Sequence, residues 1–211
     1  MTRREFMAEL AARLRRLPQE DLQAALQYYE EYFDEAGSQN EQEVIRELRS
    51  PAHVAAKILS DYAVKEAKKA LLNGDVPVGC VLVKNHEVIA TGYNQREYSK
   101  DPTAHAEIIA LRKAGEKLHS WHLDDVKLYV TLEPCPMCAG ALINARIKTI
   151  IYGVDEPLYG ACGSQLNLVQ FPSFPHNIRV RSGILKEECY ALLQEFFKIL
   201  RKEANHEPEI K

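Results

Sequence analysis

The chain has 211 residues, 46% apolar and 27% charged, which fits one large globular domain or a domain with a small appendage. Its net charge is −3, and residues 1–60 carry the whole imbalance with 8 basic against 11 acidic side chains, so bulk charge excludes a basic nucleic-acid-binding module and leaves any RNA contact to local patches. There is no run of about 18 apolar residues to span a membrane, and Glu5 and Glu9 break up any N-terminal leader, so no membrane helix, secretory signal or transit peptide is expected and the expected location is the cytoplasm.

Residues 2–60 read as helix. Leu10, Leu14 and Leu17 follow helical spacing, and Pro18 sits where a first helical turn tolerates it. A second helix is expected over 19–35, with Leu22, Leu26, Tyr29 and Phe33 as its apolar stripe and Gly37-Ser38 as its stop. A third covers 41–49, with Val44, Ile45 and Leu48 inward. Ser50-Pro51 restarts the helix through a capping hydroxyl and a proline at the first helical position. From there either one helix runs over 52–72, or Ser60-Asp61 caps a fresh one over 62–73; Asn73-Gly74 is the stop in both cases.

The pattern then changes. Val78–Lys84 and Glu87–Tyr93 are short β-rich runs flanking Asn85-His86, a hairpin pattern. A helix over 105–118, a strand over Lys127–Thr131, a helix over 136–145 and a strand over Thr149–Gly153 follow. This alternation predicts an α/β layered domain with some parallel pairing. Residues 154–184 read as loop, 186–203 as a closing helix, and 205–211 as a polar tail.

The odd count of five cysteines, where no leader is expected, does not read as a disulfide framework. Cys80 lies in an apolar run and reads as a small core residue; Cys162 and Cys189 read as incidental packing. Cys135 and Cys138 differ. They form a Cys-x-x-Cys entered through Pro134, and His105 opens the preceding helix with Glu107 two residues on. Each group falls at a helix start after an extended segment, where partial positive charge favours thiolates. One imidazole and two thiolates suit zinc, and three protein ligands leave a fourth position open, the mark of a catalytic rather than a structural site. A structural site would need a fourth ligand, for which His119 and His122 are candidates. Glu107 is then placed to carry protons. Water made acidic by zinc and a carboxylate shuttle suit hydrolytic deamination of an amidine-like ring carbon.

Three runs, EFMAELAARLRRLP, YYEEYFDEAG and EQEVIRELRSPAHVAAKIL, resemble the HAAS-type helical domain, an interaction module without catalytic residues. The runs EAKKALLNGDVPVGCVLV, DPTAHAEIIALRKA, LYVTLEPCPMCAGALINARI, YGACGSQLNL and LLQEFFKILR, and the H-x-E and P-C-x-x-C motifs within them, resemble the bacterial tRNA-specific adenosine deaminases of the zinc cytidine/deoxycytidylate deaminase superfamily. The resemblance implies a three-layer α/β/α cytidine-deaminase-like sandwich over 61–204, preceded by a small all-helical unit over 1–60. It implies adenosine-to-inosine conversion at the wobble position of a tRNA anticodon. It assigns one zinc per chain to His105, Cys135 and Cys138, and the proton shuttle to Glu107. Asn94 would contact the flipped-out base, Val78 would wall its pocket, and Phe197 on the last helix would face anticodon nucleotides. Glu156 stands where the family carries an RNA-contacting aspartate, and Pro175-His176-Asn177 replaces a frequent Asn-His-Arg. The partners implied are a tRNA anticodon stem-loop and a second copy of the chain; the helical unit's partner is unknown. The alternatives are a deaminase of free guanine, cytosine or a nucleoside, and an inactive deaminase-fold binding protein, against which the intact His105, Glu107, Cys135 and Cys138 argue.

Overall fold

Residues 1–204 are described by a computed structural model, and the expected tail, 205–211, lies outside the described residues. The elements run α1 (Arg3–Leu14), α2 (Gln19–Ala36), α3 (Glu41–Leu48), α4 (Pro51–Leu72), β1 (Gly79–Lys84), β2 (Glu87–Tyr93), α5 (Arg96–Ser99), α6 (Ala106–Leu118), β3 (Lys127–Leu132), α7 (Pro136–Asn144), β4 (Thr149–Val154), β5 (Arg179–Arg181) and α8 (Lys186–Ala204).

Local chemistry sets the helix ends. Thr2 and Glu5 form a reciprocal capping box at the start of α1, through bonds of 3.2 and 2.8 Å. Gly37, at φ 79°, ends α2. Ser50 Oγ accepts the backbone N–H of His53 at 3.1 Å, with Pro51 in the first turn of α4. The helix is unbroken across Ser60-Asp61 and so spans about 33 Å at 1.5 Å per residue.

The five strands form one mixed sheet in the order β2-β1-β3-β4-β5. β1 is antiparallel to β2 and to β3; β3, β4 and β5 are mutually parallel. Asn85 and His86, both at positive φ (50° and 68°), make the tight β1–β2 turn. β5 falls inside the stretch expected to be loop. Three residues carry no usable periodicity, and only pairing with Thr149–Ile151 makes them a strand.

Because the middle of the sheet is covered on both faces, β1, β3 and β4 read as near-continuous buried runs. On one face Cys80, Leu82, Leu128, Val130 and Ile150 pack under α6 and α7 through Ala106, Ala110, Ala114, Ala139 and Leu142. On the other, Val81, Val83, Tyr129 and Ile151 pack under α4 and share one cluster with Phe6, Leu10, Leu14 and Phe33 of α1 and α2. α8 closes that face beside α4 through Cys189 and Leu192. Two glycines let helices approach the strand backbone. A Cβ on Gly79 would meet the Ala63 carbonyl of α4 at 2.2 Å, and one on Gly92 would meet the Ala106 carbonyl of α6 at 2.2 Å.

The N-terminal helices meet the hairpin at its turn. Arg16 pairs with Glu87 at 2.8 Å, and Lys117 reaches the same carboxylate at 3.2 Å. The other end of β1, at Gly79, leads to Val78 and Asn94, joined by an Asn94 N–H to Val78 carbonyl bond of 2.8 Å. The site described next lies at that other end.

Candidate active site

The two parallel strands β3 and β4 are joined by α7, and the site gathers at the carboxyl end of β3, where open α/β sheets place ligands. His105 is the N-cap of α6 and Cys135 the N-cap of α7; Pro136 sets the first turn and Cys138 follows on its inner side. Gly92 permits the close seating of α6, so His105 is brought to the sheet by backbone packing.

His105 Nδ1 lies 3.7 Å from Cys135 Sγ and 3.5 Å from Cys138 Sγ. A tetrahedral zinc held at its usual nitrogen and sulfur distances separates those ligand atoms by about 3.6 Å. The three groups therefore could hold such an ion as they stand, and their ligand atoms all lie within 4.8 Å of one another. His119, exposed at the opposite end of α6, is about 20 Å along the helix axis from His105. Neither it nor His122 joins the cluster among the described residues. The three groups are also close enough to hydrogen-bond to one another. Hydrogen bonding from Cys138, then from His105, pulls the Cys135 thiol down to about 4. The same bond to Cys135 raises the Cys138 thiol, and bonding to Cys135 raises the His105 imidazole. A soft cation would replace the protons of those bonds.

Glu107, in the first turn of α6, is buried at 3% exposure, and burial pushes its carboxyl above the ordinary range. Cys80 closes the floor behind it, its thiol donating to the Ala106 carbonyl at 3.1 Å. The groups open into a cavity of about 370 Å³ whose walls include Val76, Val78, Asn94, Arg96, Leu132, Met137, Glu156 and Tyr159. The Asn94 amide is held by Nδ2 donating to the Val76 carbonyl at 3.2 Å, while its buried Oδ1 has no partner. A buried acceptor without a donor is costly in a closed structure and useful in a binding site.

His105, Glu107, Cys135, Asn94, Val78 and Glu156 thus line one cavity, and the buried Cys138 joins them through its cluster with His105 and Cys135. Phe197 does not: it lies half-exposed on α8, outside the cavity lining. Two residues were not singled out from sequence. Glu133, two positions before Cys135, is a buried carboxylate that accepts the backbone N–H groups of Cys162 (2.8 Å), Ser164 (3.1 Å) and Glu156 (3.0 Å). It thereby fixes the loop that sets Glu156 and Tyr159 on the cavity wall. Arg96 stands on the one-turn helix α5. The only sequence clue to Glu133 was a charge inside an otherwise apolar strand end, and Arg96 had none.

The chain is similar to known deaminases. The MafB19-like deaminase family model matches residues 56–201. The tRNA-specific adenosine deaminase of Bacillus subtilis is 47% identical over 140 residues, covering 66% of this chain and 87% of that protein. The chain belongs to the tRNA-specific adenosine deaminase family. The tRNA-specific adenosine deaminase of Haemophilus influenzae is 42% identical over 157 residues, covering 71% of this chain and 91% of that one. A solved structure from studies of A-to-I editing by tRNA:A34 deaminases at the wobble position of transfer RNA superposes with a TM-score of 0.62 at 40% identity, over 64% of this chain and 98% of that chain. The HAAS family model matches residues 5–57. In this tRNA-specific adenosine deaminase family member, the two family matches therefore meet inside α4.

Proposed function

We propose that this chain hydrolyses adenosine to inosine at the wobble position of a tRNA anticodon, using one zinc per chain held by His105, Cys135 and Cys138. The observation that carries this reading is the pair of imidazole–sulfur distances, 3.5 and 3.7 Å, next to a buried carboxylate and an unpaired Asn94 acceptor. Zinc, when bound there, supplies a Lewis acid that makes water acidic near neutral pH. Glu107 takes the proton of the water that adds to C6 of adenine and passes it to N1. It then takes the second proton, from the new C6 hydroxyl, and delivers it to the departing amine as the C6–N bond breaks, the C6=O bond forms and ammonia leaves. Burial suits Glu107 to this work, since it raises the carboxyl and makes it a stronger proton acceptor that can also return the proton. Asn94 Oδ1 accepts from an N–H or hydroxyl of the nucleoside, Val78 lies against the base, and Glu156 and Tyr159 border the mouth.

Phe197, with Lys198 and Arg201 on the same helix, is assigned to the RNA beyond the cavity. A homodimer is supported by exposed Trp121, Phe171 and Phe174, which border or adjoin an apolar recess of about 450 Å³ lined by Ile143 and Leu168. Residues 1–60 are assigned as a helical interaction unit and 61–204 as the deaminase. With tRNA as substrate and no described helix long and apolar enough to cross a membrane, the enzyme is assigned to the cytoplasm. Incubating the purified protein with an anticodon stem-loop carrying A34, and separately with adenosine, guanine and cytosine, tests the reading. Inosine is expected from the stem-loop; release of ammonia from a free base alone would move the assignment to a nucleobase deaminase, and no product at all to a binding protein.

A further inference from the structure

Among the described residues that line the cavity, Arg96 is the one lysine or arginine; the other charged side chains there, apart from His105, are Glu107, Glu133 and Glu156. Its place is built rather than incidental. Asp75 is fully buried, and both of its carboxylate oxygens are spent on α5: Oδ1 accepts the Glu97 N–H at 2.7 Å and Oδ2 the Tyr98 N–H at 3.1 Å. The flanking segments are laced together by Asn94 N–H to the Val78 carbonyl at 2.8 Å and Gln95 N–H to the Ala104 carbonyl at 3.0 Å. A single helical turn is unstable alone, so a buried carboxylate that holds its first amides sets where Arg96 stands. The guanidinium itself is about half exposed and pairs with Glu97 at 3.3 Å. Such an exposed pair is weak and leaves most of the five guanidinium donors open.

A nucleotide that enters base-first leaves its phosphates at the mouth, where the walls are otherwise acidic or apolar. We propose that Arg96, held by the Asp75–α5 anchor, binds the phosphodiester next to the flipped-out nucleotide, and so selects a nucleotide within a strand over a free base or nucleoside. Asp75 is a positioning residue in this scheme. The inference rests on the wobble-deaminase reading and names how that site recognises its substrate class.

The test is a thermodynamic cycle on the zinc-loaded full chain. One axis is Arg96→Ala; the other is an A34 stem-loop with a neutral methylphosphonate at the 5′ or the 3′ phosphate of A34. Loss of a charge-assisted phosphate contact is expected to lower kcat/KM about tenfold for either change alone, mainly through KM, and no further when the two are combined. Arg96→Ala is also expected to flatten the slope of log(kcat/KM) against log[salt] by about 0.7. Asp75→Asn is expected to blunt the methylphosphonate effect with zinc content unchanged, and Arg96→Lys to restore part of it. Strict additivity at both phosphates, or an unaltered salt slope, overturns the assignment of Arg96 while leaving the deaminase reading intact. Failure of the unmodified protein to convert the unmodified stem-loop overturns the deaminase reading itself.

Discussion

Glu133 and Cys162 are joined by a 2.8 Å hydrogen bond from the Cys162 backbone N–H to the buried carboxylate, which also accepts from Ser164 and Glu156. A residue beside the Cys-x-x-Cys therefore holds a loop some thirty positions further on, and ties the Cys-x-x-Cys segment to the cavity wall.

Glu133→Gln tests that coupling. One amide oxygen can still accept from Cys162 and Ser164, but the new NH₂ faces the Glu156 N–H. The expected loss is one charge-assisted bond plus an orphaned donor, about 2–3 kcal/mol. A melting curve reports the destabilisation. A rise in KM for the stem-loop with zinc content unchanged reports the displaced wall.

Removing the proposed proton carrier and removing a proposed ligand should separate cleanly. Glu107→Ala is expected to retain zinc and lose at least about 10²-fold in the rate of inosine formation. Cys138→Ala is expected to fall well below one zinc per chain by elemental analysis. Substantial activity in the first variant would remove Glu107 from proton transfer, and unchanged zinc in the second would remove Cys138 from the ligand set.

Gly92→Ala would place a methyl 2.2 Å from the Ala106 carbonyl. Backbone cannot yield as a side-chain tip can, so the start of α6 must shift. Overpacking of this kind costs about 1–3 kcal/mol, and the shift carries His105 and Glu107 with it. Weaker zinc retention against a chelator, at a protein concentration where the fold persists, is the expected result; wild-type retention would show that α6 adapts without moving its N-cap.

Phe6 is fully buried, stacks edge-on against Phe33 at 5.8 Å and belongs to the same cluster as Val83 and Ile151 of the sheet. Phe6→Ala is expected to cost about 3–5 kcal/mol. Thermal unfolding should remain a single transition, seen alike by far-ultraviolet circular dichroism and by loss of activity. Two separate transitions would show that the helical segment melts independently of the sheet.

Glu87 holds Arg16 and Lys117 together, and these two ion pairs, Arg16 first, keep its carboxyl below the usual range. A depressed carboxylate stabilises the fold above its unfolded-state value and stops doing so as pH falls through the folded one, so the effect belongs to the acid side of about pH 4.5. The drop in melting temperature between pH 6 and pH 3.5 is expected to be smaller in Glu87→Gln than in the wild type. An equal drop would mean that the helical segment does not draw on this contact.

The long elements and the His105–Cys135–Cys138 cluster were readable because they rest on repeating or strongly typed signals. Helical spacing marked Leu10 and Leu14, caps marked Ser50-Pro51, and the thiol and imidazole ligands lie at helix starts that strand–helix alternation itself implies. Short elements escaped for a physical reason: α5 and β5 hold four and three residues, fewer than one clear period of either pattern. Arg96 and Glu133 escaped because their roles arise from contacts between distant segments, Asp75 with α5 in one case and the 156–164 loop in the other. The choice between one helix and two at Ser60-Asp61 turned on burial, since Ala63 and Ala67 lie under β1, where a break would expose them.

The shared cluster beneath α4 also has a consequence for synthesis. Phe6, Leu10 and Phe33 leave the ribosome before Tyr129 and Ile151, which complete their cover and follow on the order of ten seconds later at ordinary elongation rates. During that interval the nascent helices carry an unmatched apolar side. The helical segment, made before the sheet, thus reaches its final packing only when the sheet is complete.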